Sequence, residues 1–211
     1  MDQNNKSEIS QNGSKTLIRT PILVTGSYDG TIVSWDTSDK VWSAKHEYTH
    51  KYPINRLAIS EDGTLVAAAT TEGVYVYKLP EIKVQTRFDE KSNVTSVFFQ
   101  ILPNLFYYTT ENGELFSAEP NNANSKTLIY SNGIDINCGE LSPNQSEVYF
   151  GDSNGNVKVI DVKSHLLKST LCGNKNAAIR SLAISPICSI LAVGDSLGDL
   201  YWWSLSENSV T

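Results

Sequence analysis

The chain has 211 residues, 40% of them hydrophobic, enough to bury roughly 70% of the unfolded surface in one core. A formal net charge of −6 argues against nucleic-acid binding, which needs a basic face, and no run of 18 apolar residues offers a membrane span. Cys138, Cys172 and Cys188 are odd in number and lack C-x-x-C spacing, so an intracellular, reduced protein is expected.

Residues 1–14 are rich in Asn, Gln and Ser and have no apolar stretch, so they are predicted to be a disordered polar tail, not a signal peptide. Gly13-Ser14-Lys15-Thr16 lacks the preceding glycine and strand of a phosphate loop and is set aside. Residues 15–211 form the structured domain, and Lys15-Thr16-Leu17-Ile18-Arg19 could supply an extra strand.

From there the chain repeats itself. Ile54-Asn55-Arg56-Leu57-Ala58-Ile59-Ser60 returns as Ile179-Arg180-Ser181-Leu182-Ala183-Ile184-Ser185, and Val94-Thr95-Ser96-Val97 and Ile136-Asn137-Cys138 fall between them. In each unit a first strand ends in a turn such as Ser60-Glu61-Asp62-Gly63, Ser142-Pro143-Asn144 or Ser185-Pro186. A second apolar strand follows, for example Leu65-Val66-Ala67-Ala68-Ala69. Next comes a glycine hairpin: Asp29-Gly30, Glu72-Gly73, Asn112-Gly113, Asn154-Gly155 or Leu197-Gly198. Asp-Gly and Asn-Gly pairs predict two-residue turns, which demand positive φ. Third strands end near residues 36, 78, 119, 161 and 204.

A step of about 42 residues with strand units is the pattern of a WD-repeat β-propeller. The expected fold is all-β, with about five four-stranded blades. Unit one lacks its innermost strand and unit five its outermost, so an open arc ranks first for the isolated chain, ahead of a contracted five-bladed ring or strands borrowed from a partner or second copy. Val74-Tyr75-Val76-Tyr77 and Leu200-Tyr201-Trp202-Trp203 are apolar on both parities, which predicts blades covered on both faces. An open arc would instead leave wet some of Ile22, Val24, Ile32, Leu191, Val193, Leu200 and Trp202.

The stretch Ile136-Asn137-Cys138 … Leu141-Ser142-Pro143-Asn144-Gln145-Ser146-Glu147 … Gly151-Asp152 … Gly155-Asn156 resembles the fourth blade of the G-protein-β-subunit-like family, the WD-repeat subunits of target-of-rapamycin (TOR) kinase complexes. Gly26-Ser27-Tyr28-Asp29, Asn55-Arg56-Leu57, Asn93-Val94-Thr95-Ser96-Val97 and Ile179-Arg180-Ser181-Leu182 match further blades in the family's order. The similarity covers about residues 22–205, the first five of the family's seven blades. Ala118-Glu119 replaces the Trp-Asp ending of the third. The resemblance implies a non-catalytic scaffold that binds and steadies a TOR-type kinase. It would be cytoplasmic or peripheral on endomembranes through its complex. The alternative is another WD-repeat scaffold, such as a ubiquitin-ligase substrate receptor.

No catalytic or cofactor site and no small-molecule substrate are expected. His46, His50 and His165 lack metal-ligand spacing, so no metal is expected, and Cys172 has no visible catalytic partner. Asp29 could bond within its own turn or to His50. Trp35, Tyr77 and Trp203 read as blade packing. Asn55, Thr95, Asn137 and Arg180 recur at one place in successive units, at one rim of the channel, and are the candidate partner-binding residues. In the resembling family the position of Asn55 lies at the kinase contact.

Overall fold

The computed structural model describes residues 22–101 and 104–205. The polar tail, the candidate strand at 15–19 and the discarded phosphate-loop motif lie outside them. Eighteen strands and no helix are present among the described residues, arranged as five antiparallel sheets.

Blade one holds β1 (Ile22–Gly26), β2 (Thr31–Asp36) and β3 (Ser43–Thr49). Blade two holds β4 (Ile54–Ile59), β5 (Leu65–Thr70), β6 (Gly73–Lys78) and β7 (Lys83–Asp89). Blade three holds β8 (Val94–Gln100), β9 (Leu105–Thr110), β10 (Glu114–Ala118) and β11 (Thr127–Ser131). Blade four holds β12 (Ile136–Leu141), β13 (Glu147–Asp152), β14 (Asn156–Asp161) and β15 (Leu167–Cys172), and blade five β16 (Ile179–Ile184), β17 (Ile190–Asp195) and β18 (Leu200–Ser204). Among the described residues, blade one therefore lacks an inner strand and blade five an outer one, as the repeat grammar predicts.

The inner strands β4, β8, β12 and β16 pack side by side, with β1 against β4. Between each successive pair of blades lies an apolar layer. In blade two, Val66, Ala68, Tyr75 and Tyr77 meet Ile32 of blade one, while Ala67, Ala69, Val74 and Val76 meet Val97, Phe106 and Tyr108 of blade three. Every residue of β5 is buried, and alanine lets neighbouring sheets approach closely near the axis. The outer strands β3 and β15 are almost wholly exposed, which their polar sequences anticipate.

No strands of blades one and five share the packing that joins each successive pair of blades, so the described residues form an arc. The expectation of two covered faces therefore fails for blade five. There Leu191 and Val193 are buried against blade four, while Leu200 and Trp202, of opposite parity, are 77% and 69% exposed. At blade one, Ile32 is fully buried against blade two and Leu23 belongs to the wetter parity.

The five hairpin glycines all have positive φ, from 76° at Gly155 to 141° at Gly73. The two-residue turn, however, occurs only in blade two, where Thr70 pairs Gly73. Elsewhere the glycine N–H donates to the carbonyl three residues back, as Gly155 does to Asp152, and the preceding Asn or Asp keeps negative φ. A three-residue loop ending in a left-handed glycine matches strand twist and needs one positive φ instead of two.

Candidate functional site

Each complete inner strand carries a β-bulge at the same place. Ile54 pairs Thr70 and Arg56 pairs Ala69, which leaves Asn55 as the extra residue. In the same way Thr95, Asn137 and Arg180 are the extra residues of β8, β12 and β16. A bulge bends the strand and re-aims a side chain. The four residues singled out by sequence thus occupy equivalent positions on four adjacent blades, at one end of the channel strands.

Three of the four already have structural partners. The Asn55 side-chain amide donates to Asn93 Oδ1 at 2.6 Å and to the Val94 carbonyl at 2.9 Å, tying blade two to blade three. Asn93 in turn donates to Glu111 Oε1 at 2.8 Å. Thr95 shares a 2.8 Å hydroxyl bond with Thr109, and Asn137 Nδ2 donates to Ser153 Oγ at 3.2 Å. Arg180 is exposed, and no ion pair among the described residues engages it.

One residue along the strands lie Arg56, Ser96, Cys138 and Ser181, which line a cavity of about 250 Å³ between the four inner strands. Ser96 Oγ accepts the Gly139 N–H at 2.9 Å, joining blades three and four. Glu140 lines the same cavity, and burial raises its pKa against the influence of the Ile184 N–H. Burial pushes the Cys138 thiol up to about 11, against the Gly151 N–H and the positive charges of Arg56 and Arg180. A thiol held protonated at neutral pH is a poor nucleophile. Sequence reasoning missed Arg56, which sits beside Asn55 without recurring as arginine in the other blades.

Asp29 bonds within its own turn, with Oδ1 accepting the Thr31 N–H at 2.9 Å. His50 instead bonds the Tyr77 hydroxyl, ringed by Tyr48 and Tyr75. Burial, reinforced by Arg87, lowers its pKa to about 4, so the ring is neutral and can accept the phenol proton. Tyr77 is fully buried at the place where blades one and five carry Trp35 and Trp203, and the Trp35 indole N–H donates to Thr25 Oγ1 at 2.9 Å. Among the described residues no group of three or more His, Cys, Asp or Glu could hold a metal ion. No helix of the described residues is long and apolar enough to cross a membrane.

The family model for the WD domain, G-beta repeat, matches residues 9–36. The chain is 30% identical over 195 residues to the Protein LST8 homolog of Drosophila pseudoobscura pseudoobscura, covering 89% of this chain and 60% of that protein. It is 29% identical to the Target of rapamycin complex subunit LST8 of Bos taurus, covering 88% of this chain and 57% of the relative. It is 25% identical to the Target of rapamycin complex subunit wat1 of Schizosaccharomyces pombe, covering 87% and 59%. The chain thus spans about 60% of the length of the curated relatives it matches. Among solved structures, the Myceliophteria thermophila Cps50 (Swd1) beta-propeller domain superposes with a TM-score of 0.71 at 15% identity, over 82% of this chain and 58% of that one. At that identity the likeness establishes the fold: these sheets are blades of a WD-type β-propeller.

Proposed function

We propose that this protein is a non-catalytic WD-repeat scaffold in a TOR kinase complex, which docks by the bulged rim onto the kinase domain and steadies it. It would act in the cytoplasm or on endomembranes through its complex. One observation carries this reading: similarity to named TOR complex subunits covers close to nine-tenths of the chain. Repeated positions on one rim suit a composite protein-binding surface better than a reaction centre. Burial holds the Cys138 thiol of the adjoining cavity protonated, which suits a structural residue better than a nucleophile.

The test is affinity purification of the tagged full chain followed by mass spectrometry, with a crosslinker to report contact sites. Recovery of a TOR-type kinase with crosslinks at the rim is expected. Recovery of a cullin-type ligase without such a kinase would favour a substrate receptor instead and overturn the reading. Arg180→Glu is the appropriate interface variant. Asn55 is a poor choice, because its amide clamps two blades together and its loss would cost stability.

A further inference from the structure

The cavity between the inner strands has a chemical character of its own. Arg56 lines it from blade two, and Arg180 precedes the lining residue Ser181 in blade five. Both arginines are exposed, and no ion pair among the described residues involves either. Arg56 and Ser181 line the same cavity, which leaves Arg180 one residue from its lining, and the charges of both arginines and of Glu140 bear on the Cys138 thiol. Most of the molecule carries the opposite sign, with a net charge of −6. Two guanidinium groups outside any ion pair of the described residues, one lining a concave site and one a residue away from its lining, favour an anion there.

Glu140 is the competing charge in this cavity. It lies two residues beyond Cys138 on β12, roughly 6–7 Å along the strand. Its burial disfavours the charged form. It therefore lies further along the strand than the arginine layer, and it disfavours a multiply charged guest. The walls between the polar groups are Leu57, Val97 and Leu182. Apolar walls below a cationic mouth match a short aliphatic stem with a single anionic head. At about 250 Å³ the cavity holds more than one water yet falls short of a pocket for a drug-sized ligand.

We propose that the channel mouth binds a carboxylate carried on a polypeptide, an Asp or Glu side chain of a protein partner, between Arg56 and Arg180. The source of that side chain rests on the scaffold reading above; the carboxylate chemistry does not. The test is a titration of the full chain, followed by NMR through the Arg56 and Arg180 side-chain N–H resonances. The probes are an end-blocked Gly-Ala-Glu-Ala-Gly peptide, its Gln counterpart, sodium acetate and inorganic phosphate. The Glu peptide is expected to shift both resonances saturably and the Gln peptide to shift neither. Arg56→Gln and Arg180→Gln should each weaken binding at least about tenfold, the loss of one charged hydrogen bond, with unchanged melting curves.

No saturable shift, or equal shifts from the Glu and Gln peptides, would overturn the proposal. So would binding of phosphate or acetate without binding of the Glu peptide, which would mark a small-oxyanion site. The titration contains no kinase, so the two readings fail separately. Peptide binding without kinase recovery rejects only the partner; kinase recovery without peptide binding rejects only the channel site.

Discussion

His50 gives the sharpest stability test, because its perturbation has one dominant cause. The ring is 7% exposed among Tyr48, Tyr75 and Tyr77, and burial followed by the Arg87 charge brings its pKa from 6.5 to about 4. A base with a depressed folded pKa binds protons less readily folded than unfolded. Stability must then rise with pH between about 4 and 6.5 and fall as the solution is acidified through that window. At pH 4.5 the unfolded chain is almost fully protonated at this site and the folded chain mostly is not. The difference amounts to about 2 kcal/mol relative to pH 7. Two other sets of groups must be separated from it. The carboxyls of Asp29, held low first by the Thr31 N–H, and of Asp36 and Asp161, held low first by Ser38 and Ser164 hydroxyls, lose their contribution only below their unfolded value of 3.8. Glu140 works in the opposite sense: its raised pKa means acidification relieves its burial penalty. The assay is urea unfolding of the parent chain and His50→Gln, which keeps an acceptor for Tyr77, at pH 7 and pH 4.5. The parent should lose about 2 kcal/mol more than the variant on acidification. Parallel losses in the two proteins would refute the assignment, as would an NMR titration placing His50 above pH 6.

Gly151→Ala should destabilise by about 1–3 kcal/mol, seen as a fall of several degrees in melting temperature, because the added Cβ would overlap Ile179 and approach Cys138 Sγ to 3.0 Å where blades four and five meet. Cys188→Gly should stabilise by about 0.5 kcal/mol in urea unfolding, since Cys188 occupies a left-handed conformation (φ 52°) at the place where the equivalent turn of blade two has Gly63 (φ 65°). The matched change Gln145→Gly should bring no gain, because Gln145 Oε1 accepts the Ile101 N–H at 2.8 Å from blade three and that bond would be lost. Leu200→Ser with Trp202→Ser should change folding stability by no more than about 0.5 kcal/mol while cutting apolar-dye binding, given their exposure on the open face of blade five. Unchanged dye binding would show that this face is covered in solution.

Much of the fold was legible because a blade is a local object. The hairpin glycines of all five units and the Ser-initiated turns of three report contacts within one unit of about 42 residues, and the repetition reinforces the report. Ser60, Ser142 and Ser185 recur because each side chain accepts the N–H of the strand that follows its turn, at Leu65, Glu147 and Ile190. What crossed between units was harder to read. The alternation in Leu200-Tyr201-Trp202-Trp203 cannot say whether a neighbour covers the second face, because covered and uncovered blades use the same residue types. Nor does the sequence distinguish an Asn that clamps blade three from one that waits for a partner. Asn55 and Arg180 hold equivalent positions, yet only Asn55 finds acceptors in the next blade.

The bulge explains both the rim and the residue that sequence reasoning overlooked. Strict alternation from Ile54 would place Arg56 on the same buried face and turn Leu57 away from it. Instead Ile54 and Leu57 pack in one apolar layer, three residues apart, and Arg56 is exposed. Val94 with Val97, and Ile179 with Leu182, repeat that spacing in their own layers. A strand whose buried residues jump from a spacing of two to a spacing of three must contain an extra residue, so the apolar pattern itself marks the bulge. Once parity is shifted, the residue after the bulge lines the channel cavity, exposed at Arg56 and Ser181 and buried at Ser96 and Cys138. Arg56, Ser96, Cys138 and Ser181 fill that position with arginine, serine or cysteine, while the residue two before each is always Ile or Val. The chemical individuality of this propeller is concentrated at those four positions.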